Sequence, residues 1–178
     1  MITFELTKEQ ELIRKTAREF AAGELTDIAR DCDEEDKIPQ KLLDKAWEMG
    51  LANAAVPEEL DGIGMERSAI TNALVCEELA YGCATLASAI MAPSAFIQPL
   101  IDFGTKNQQK QYLPQYGGEK FEPAAMALHE PQFTFDPTDM RTTAEQKGDE
   151  WVLNGTKRLV PFGSTAHHFL VIAKSGSE

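Results

Sequence analysis

Four clusters in this chain carry residue types that do chemistry elsewhere. The first is Glu77-Glu78, in a stretch from Glu66 to Tyr81 with helical period. A general base needs one carboxylate on a partly buried face. Neighbours on a helix point about 100° apart, so the two form no dyad. A carboxylate bound to a nearby Arg or backbone group is the plainer account. The second is Asp31 to Asp36, D-C-D-E-E-D. Counted from Asp31, an EF-hand loop needs Gly sixth and Glu twelfth. Asp36 and Leu42 stand there, which excludes that calcium site and leaves a solvated loop. The third, Gly62-Ile63-Gly64, has Arg67 in place of a third glycine and no strand before it, so it is no dinucleotide fingerprint. The fourth, His167-His168, faces two ways on a strand and has no third ligand, so no metal is expected and both read as surface histidines.

The chain is organised instead around residues 124–172. It holds A-M-A-L-H-E-P at 125–131, F-D-P-T at 135–138, W-V-L-N-G-T-K at 151–157 and R-L-V-P-F-G at 158–163. Before it the sequence reads as helices, and from it onward as short strands. If the chain does chemistry, a cofactor is expected where the two halves meet.

The helical half follows from period and caps. Thr7 and Gln10 have capping-box spacing, and Ile13, Ala17 and Phe20 then form one apolar stripe. Pro39 suits a first helical turn, with Leu42, Leu43, Ala46 and Trp47 on one face and Gly50 as the stop. Val56 to Gly64 is a loop dense in turn formers. Leu86 to Ile101 is apolar nearly all round and should lie centrally, with a kink or loosened turn at Pro93. Phe96 and Ile97 are either plain core or the wall of an apolar ligand channel. Thr105 and Gln108 repeat the capping-box spacing.

In the strand half, Ala124–Leu128 is a short apolar run between Pro123 and Pro131. Lys147-Gly148-Asp149-Glu150 is a hairpin signal, and Asn154-Gly155 is another turn. Lys157–Val160 and Phe169–Ala173 are expected as further strands of an antiparallel meander of about five. Such a sheet needs more strands or a cover, so either Ser175 to Glu178 is not a natural domain end or something else is expected to cover the open sheet. The expected class is α+β: an all-α domain over 1–120, then an incomplete antiparallel β domain over 121–178.

Composition narrows the partners. The chain has 178 residues, 17 basic and 29 acidic, for a net charge of -12. That field disfavours nucleic acid and anionic membranes. No uncharged apolar run reaches the ~18 residues of a membrane span. Cys32, Cys76 and Cys83 make no C-x-x-C pair and read as reduced, buried thiols. The opening M-I-T-F-E-L-T has no basic presequence, and a cytoplasmic location is expected.

Several motifs together resemble the N-terminal and middle regions of acyl-CoA dehydrogenases, over the whole chain. They are F-E-L-T-K-E-Q-E-L-I-R at the start, Val56-Pro57-Glu58-Glu59 with Gly62-Ile63-Gly64, and Glu77-Glu78-Leu79-Ala80. Phe103-Gly104-Thr105-Lys106 with Tyr112-Leu113-Pro114 follows, then A-L-x-E-P and V-L-N-G-x-K. The resemblance implies a helical domain, a β domain and a second helical bundle, with FAD between them, usually in homotetramers. It implies α,β-dehydrogenation of an acyl-CoA or related acyl thioester, with electron-transfer flavoprotein or another electron acceptor. The family's catalytic carboxylate lies in the second bundle, so no base is assigned here.

By the same resemblance, cofactor contacts fall on Leu128, His129, Glu130, Thr134, Phe135, Leu159, Val160 and Pro161. Substrate contacts fall on Phe96, Ile97 and Phe135. This chain departs from the family at these places. His129 replaces a flavin-facing Thr, Thr134-Phe135 a Gly-Ser pair, Leu159 an aromatic plate and Pro161 a Thr hydroxyl. A diverged flavoenzyme is the preferred reading, because the strand pattern and turn residues around the site are intact. The alternatives are a non-catalytic acyl-ligand-binding or assembly module that has lost flavin, and a flavin oxidase or monooxygenase on the same scaffold.

Overall fold

A computed structural model of the protein describes residues 5–176. The opening Met1-Ile2-Thr3-Phe4 and the terminal Ser177-Glu178 lie outside the described residues, and the expectations attached to them go no further.

Helix α1 (Lys8–Phe20) starts where the spacing places it. The Thr7 hydroxyl accepts from Gln10 N–H, and the Gln10 side chain accepts from Thr7 N–H. A wider turn, Ala21–Leu25, extends it. Residues 29–35 then form a helix, α2 (Ala29–Glu35), and not the loop expected of an acidic run. Two things explain it. Arg30 pairs with Glu34 one turn on at 2.8 Å, and Ile28, Ala29 and Cys32 pack on the core while the carboxylates face water. The left-handed Asp36 ends it.

Helix α3 (Gln40–Glu48) buries Leu42, Leu43, Ala46 and Trp47, as its period requires. Helix α4 (Ala69–Met91) is capped by Ser68 and broken at Cys83, whose backbone is extended. It has the length and apolar composition of a membrane span. Here it packs against α1, and buried Glu78 takes two hydrogen bonds of 2.7 Å from Arg18. The plainer account of that carboxylate therefore holds. Pro93 separates α4 from α5 (Ser94–Phe103). Helix α6 (Lys106–Tyr112) opens with the second capping box. From it, buried Gln109 donates to the carbonyls of Leu100, Ile101 and Gly104 and so closes the end of α5.

The strands are β1 (Ala124–Ala127), β2 (Thr143–Lys147), β3 (Glu150–Asn154), β4 (His168–Val171) and β5 (Lys174–Ser175). Helices followed by a few strands is the expected class. The connectivity is not the expected meander: only the β2–β3 hairpin is antiparallel, turning at Gly148-Asp149. Strand β4 runs parallel to β1, and β5 parallel to β2. Chain leaving β3 therefore crosses to the other sheet before returning. Residues 157–160 serve that crossing and form no strand, because Leu159 adopts φ 53, a left-handed turn that ends any extended run.

The two halves are joined through the core. Trp47 packs on Tyr116 and Phe121, and its Nε1 donates to Gly118 O at 2.8 Å. Phe121 N–H donates to Asp44 Oδ1, and the Asn53 amide to Tyr116 O. Helix α5 lies against β1 and β4.

Candidate functional site

Two loops build the site. The first leaves β1 through Leu128, His129 and Glu130, and the second runs from Lys157 to Pro161. Glu130 is 1% exposed. Its Oε1 accepts from Thr142 N–H at 2.8 Å and Lys157 Nζ at 2.9 Å. Its Oε2 accepts from Arg141 N–H at 2.8 Å and Gln132 Nε2 at 3.0 Å. Hydrogen bonds from Thr142, then Arg141 and Lys157, hold this carboxyl far below the usual carboxylate range, and burial opposes them only in part. The side chain is fully engaged by protein. At this position only the main chain is left to meet a cofactor.

The sign of that shift gives a pH expectation. A depressed carboxyl stabilises the fold fully above its unfolded pKa of ~4.3 and loses that contribution as pH falls through its folded value. Glu130→Gln should therefore lower stability at neutral pH and flatten the acid limb below pH ~4.3. Acid unfolding followed by circular dichroism checks this, and an unaltered acid limb would refute it.

His129 stacks on Phe135 with ring centroids 4.6 Å apart. Its Nδ1 is buried without a partner. The peptide N–H groups of His129 and Glu130 also find no acceptor among the described residues. These orphaned polar groups, at the end of a strand, fit the polar edge of a planar ring system. Thr134 is exposed, Phe135, Val160 and Pro161 are half-buried, and Leu159 is 75% exposed.

Beside the second loop runs a groove of about 890 Å³. Pro161, Phe162 and Gly163 form one wall, Leu86, Ser88 and Ala89 of α4 another, and α2 with the residues after it, including Arg30, Asp33 and Lys37, the third. Phe96 and Ile97 do not line it. They sit in the core, Phe96 against Tyr116 at 5.5 Å and His168 at 5.8 Å. The structure favours the plain-core account of both.

His168 is likewise no surface histidine. It is half-buried among Phe96, Tyr112 and Tyr116. Burial, then the charge of Glu122, pushes the Tyr116 phenol up, so it keeps its proton for the hydrogen bond shared with His168 Nδ1 at 3.1 Å. His167 is exposed and pairs with Glu122 at 3.1 Å. No cluster of three metal-ligating side chains exists among the described residues. The cysteines are free, but none is buried as expected: Cys76 is exposed, and Cys32 and Cys83 are half-buried. Sequence reading missed Lys157, Gln132 and Thr142. Lys157 stood in the V-L-N-G-T-K motif, but only the fold shows that its ammonium turns inward.

Comparison with known proteins fits this architecture. Residues 7–119 match the family model "Acyl-CoA dehydrogenase, N-terminal domain", and residues 125–178 match "Acyl-CoA dehydrogenase, middle domain". The chain belongs to the acyl-CoA dehydrogenase family. It is 37% identical over 174 residues to the mitochondrial short-chain specific acyl-CoA dehydrogenase of Rattus norvegicus, covering 96% of this chain and 41% of that protein. It is similar to butyryl-CoA dehydrogenase from Megasphaera elsdenii, with TM-score 0.80 and 26% identity over 99% of this chain and 46% of that one. It is also similar to the FAD complex of PigA, with TM-score 0.82 and 27% identity over 99% of this chain and 46% of that one. The chain thus spans about two fifths of the length of the curated relatives it matches.

Proposed function

We propose that this chain supplies the helical layer and first strands of an FAD-dependent oxidoreductase acting on an acyl thioester. One observation carries the reading: buried His129 Nδ1, with no partner among the described residues, stands at the exit of β1 beside two peptide N–H groups that no described residue accepts from. When bound, FAD supplies the hydride acceptor for α,β-dehydrogenation. The 128–130 main chain and the His129 imidazole meet its polar edge. Thr134 and Phe135 close one side of the site, and Leu159, Val160 and Pro161 the other. The apolar side of the groove, Leu86, Ala89 and Pro161, takes the acyl group. Phe96 and Ile97 support the groove from the core.

No residue here is offered as the base, since Glu78 is held by Arg18. Electrons pass to electron-transfer flavoprotein or another acceptor, in a homo-oligomer of a reducing compartment such as the cytoplasm. FAD titration of the 178-residue chain, followed by visible absorbance, tests the proposal. Bound flavin should show resolved bands, and His129→Ala should weaken FAD about tenfold, the worth of one good hydrogen bond. Unchanged affinity and spectrum in His129→Ala would remove His129 from the site.

A second reading has its own support. Leu159 is exposed and Pro161 has no N–H or hydroxyl, so the second loop offers a flavin less than the first does. An absence of flavin binding at saturating FAD, both in this chain and in one extended through a second helical bundle, would favour an acyl-ligand-binding or assembly module.

A further inference from the structure

Three consecutive residues of the first loop are tied to two consecutive residues of the second, Leu128 and Glu130 to Lys157 and His129 to Arg158. Lys157 Nζ donates to Leu128 O at 3.0 Å and to Glu130 Oε1 at 2.9 Å, with Met140 Sδ at 3.7 Å. Arg158 N–H donates to His129 O at 2.9 Å. The Lys157 and Glu130 side chains are 9% and 1% exposed. Glu130 carries the tie onward to the Arg141 and Thr142 peptides that precede β2. Residues 128–130 and 159–161 hold most of the candidate cofactor contacts, and they lie on different crossings of the fold. No strand pairing joins them directly, since β4 rather than 157–161 runs beside β1.

We infer that Lys157 is a positioning residue, whose ammonium sets the spacing between the two loops and so the place of His129. The inference rests on the flavin reading above, and it extends to a residue that touches neither cofactor nor substrate. A buried ammonium holding a main-chain carbonyl fixes that carbonyl more tightly than a neutral donor does. Removing it frees Leu128 O and, with it, the direction in which the loop presents His129.

The test separates positioning from stability. Lys157→Met leaves the Glu130 charge buried with one partner fewer, so thermal stability should fall. The double variant Glu130→Gln/Lys157→Met buries no charge and should recover part of that loss, the remainder being the new amide N–H that faces the Arg141 or Thr142 peptide N–H. A purely structural role predicts that FAD affinity recovers as well. A positioning role predicts that it stays weakened about tenfold in the double variant, with shifted flavin bands, because Leu128 O still lacks its donor. The His129 ring resonances in the flavin-free chain give a second readout. They should move in both variants relative to wild type.

Wild-type affinity and bands in the double variant would overturn the inference, as would unmoved His129 resonances. If wild type binds no flavin, either as this chain or extended through a second helical bundle, while the His129 resonances still move, the cofactor reading fails and the positioning of the two loops by Lys157 stands.

Discussion

Trp47→Ala is expected to cost about 3–5 kcal/mol of folding stability, the usual penalty for emptying a large buried aromatic site. Trp47 is 1% exposed, and its ring meets Tyr116 at 6.4 Å and Phe121 at 5.4 Å. Its Nε1 also satisfies Gly118 O, and deletion leaves that carbonyl without its donor. Neighbours are poorly placed to collapse into the space. Tyr116 is held by His168 and by Asn53, and Phe121 by the bond from its N–H to Asp44. A domain of ordinary stability has only about 5–15 kcal/mol to lose. Trp47→Phe keeps most of the volume and loses the hydrogen bond, and should cost about 1–2 kcal/mol. Urea unfolding of both variants measures the difference. A loss under about 1 kcal/mol for the alanine variant would mean that α3 and the entry to β1 are not coupled through this ring.

Gly117→Ala is the second large effect. Gly117 has ordinary right-handed backbone angles, so conformational freedom is not the reason for glycine there. Space is. A Cβ at this position would stand 2.2 Å from Asp61 O and 2.4 Å from Asp61 C. Both are backbone atoms of the Val56–Gly64 loop, and Asp61 already sits in a left-handed turn. The loop must move bodily, at about 1–3 kcal/mol or more for forced overpacking. Gly118→Ala is the control one residue on, because nothing lies within 4 Å of a Cβ built there. It should fall within about 0.5 kcal/mol of wild type. Equal effects at 117 and 118 would show that the loop does not press on this turn.

What was legible in the sequence was local. Thr7 with Gln10 and Thr105 with Gln108 announce two helix starts, because a cap and its partner lie three residues apart. The stripe through Leu42, Leu43, Ala46 and Trp47 announces a buried face for the same reason. Helix geometry alone makes Glu77-Glu78 a carboxylate bound to an Arg or backbone group, and the fold gives Glu78 the partner Arg18 from another helix. The misses are non-local or turn on competing local signals. The acidic run before Asp36 looks like loop by composition, but Ile28, Ala29 and Cys32 recur at a helical interval and win by packing.

Residues 157–160, Lys-Arg-Leu-Val after the Asn154-Gly155 turn, read as a strand. What claims them is the inward pull of Glu130 on Lys157 and the left-handed turn at Leu159. His168 looks like half of an exposed pair until α5 and α6 bring Phe96 and Tyr112 to it. At the candidate site the sequence placed His129 and Phe135 on one loop. Their stacking, and the orphaned nitrogen it leaves, required the fold.

The parallel pairing of β1 with β4 has a kinetic consequence. Ala124 finds His168, and Ala127 finds Val171, only after residues 128–167 have been threaded through a hairpin and back. Closing so long a loop costs entropy before any ladder bond forms. Strand β1, Ala-Ala-Met-Ala, has little preference of its own for extended structure. The helices can nucleate from their own capped turns, while β1 must wait for its partner. Refolding should therefore show amide protection in α1 and α4 before protection at β1. On a ribosome, Ala124–Ala127 would stay unpaired until Val171 had left the exit tunnel.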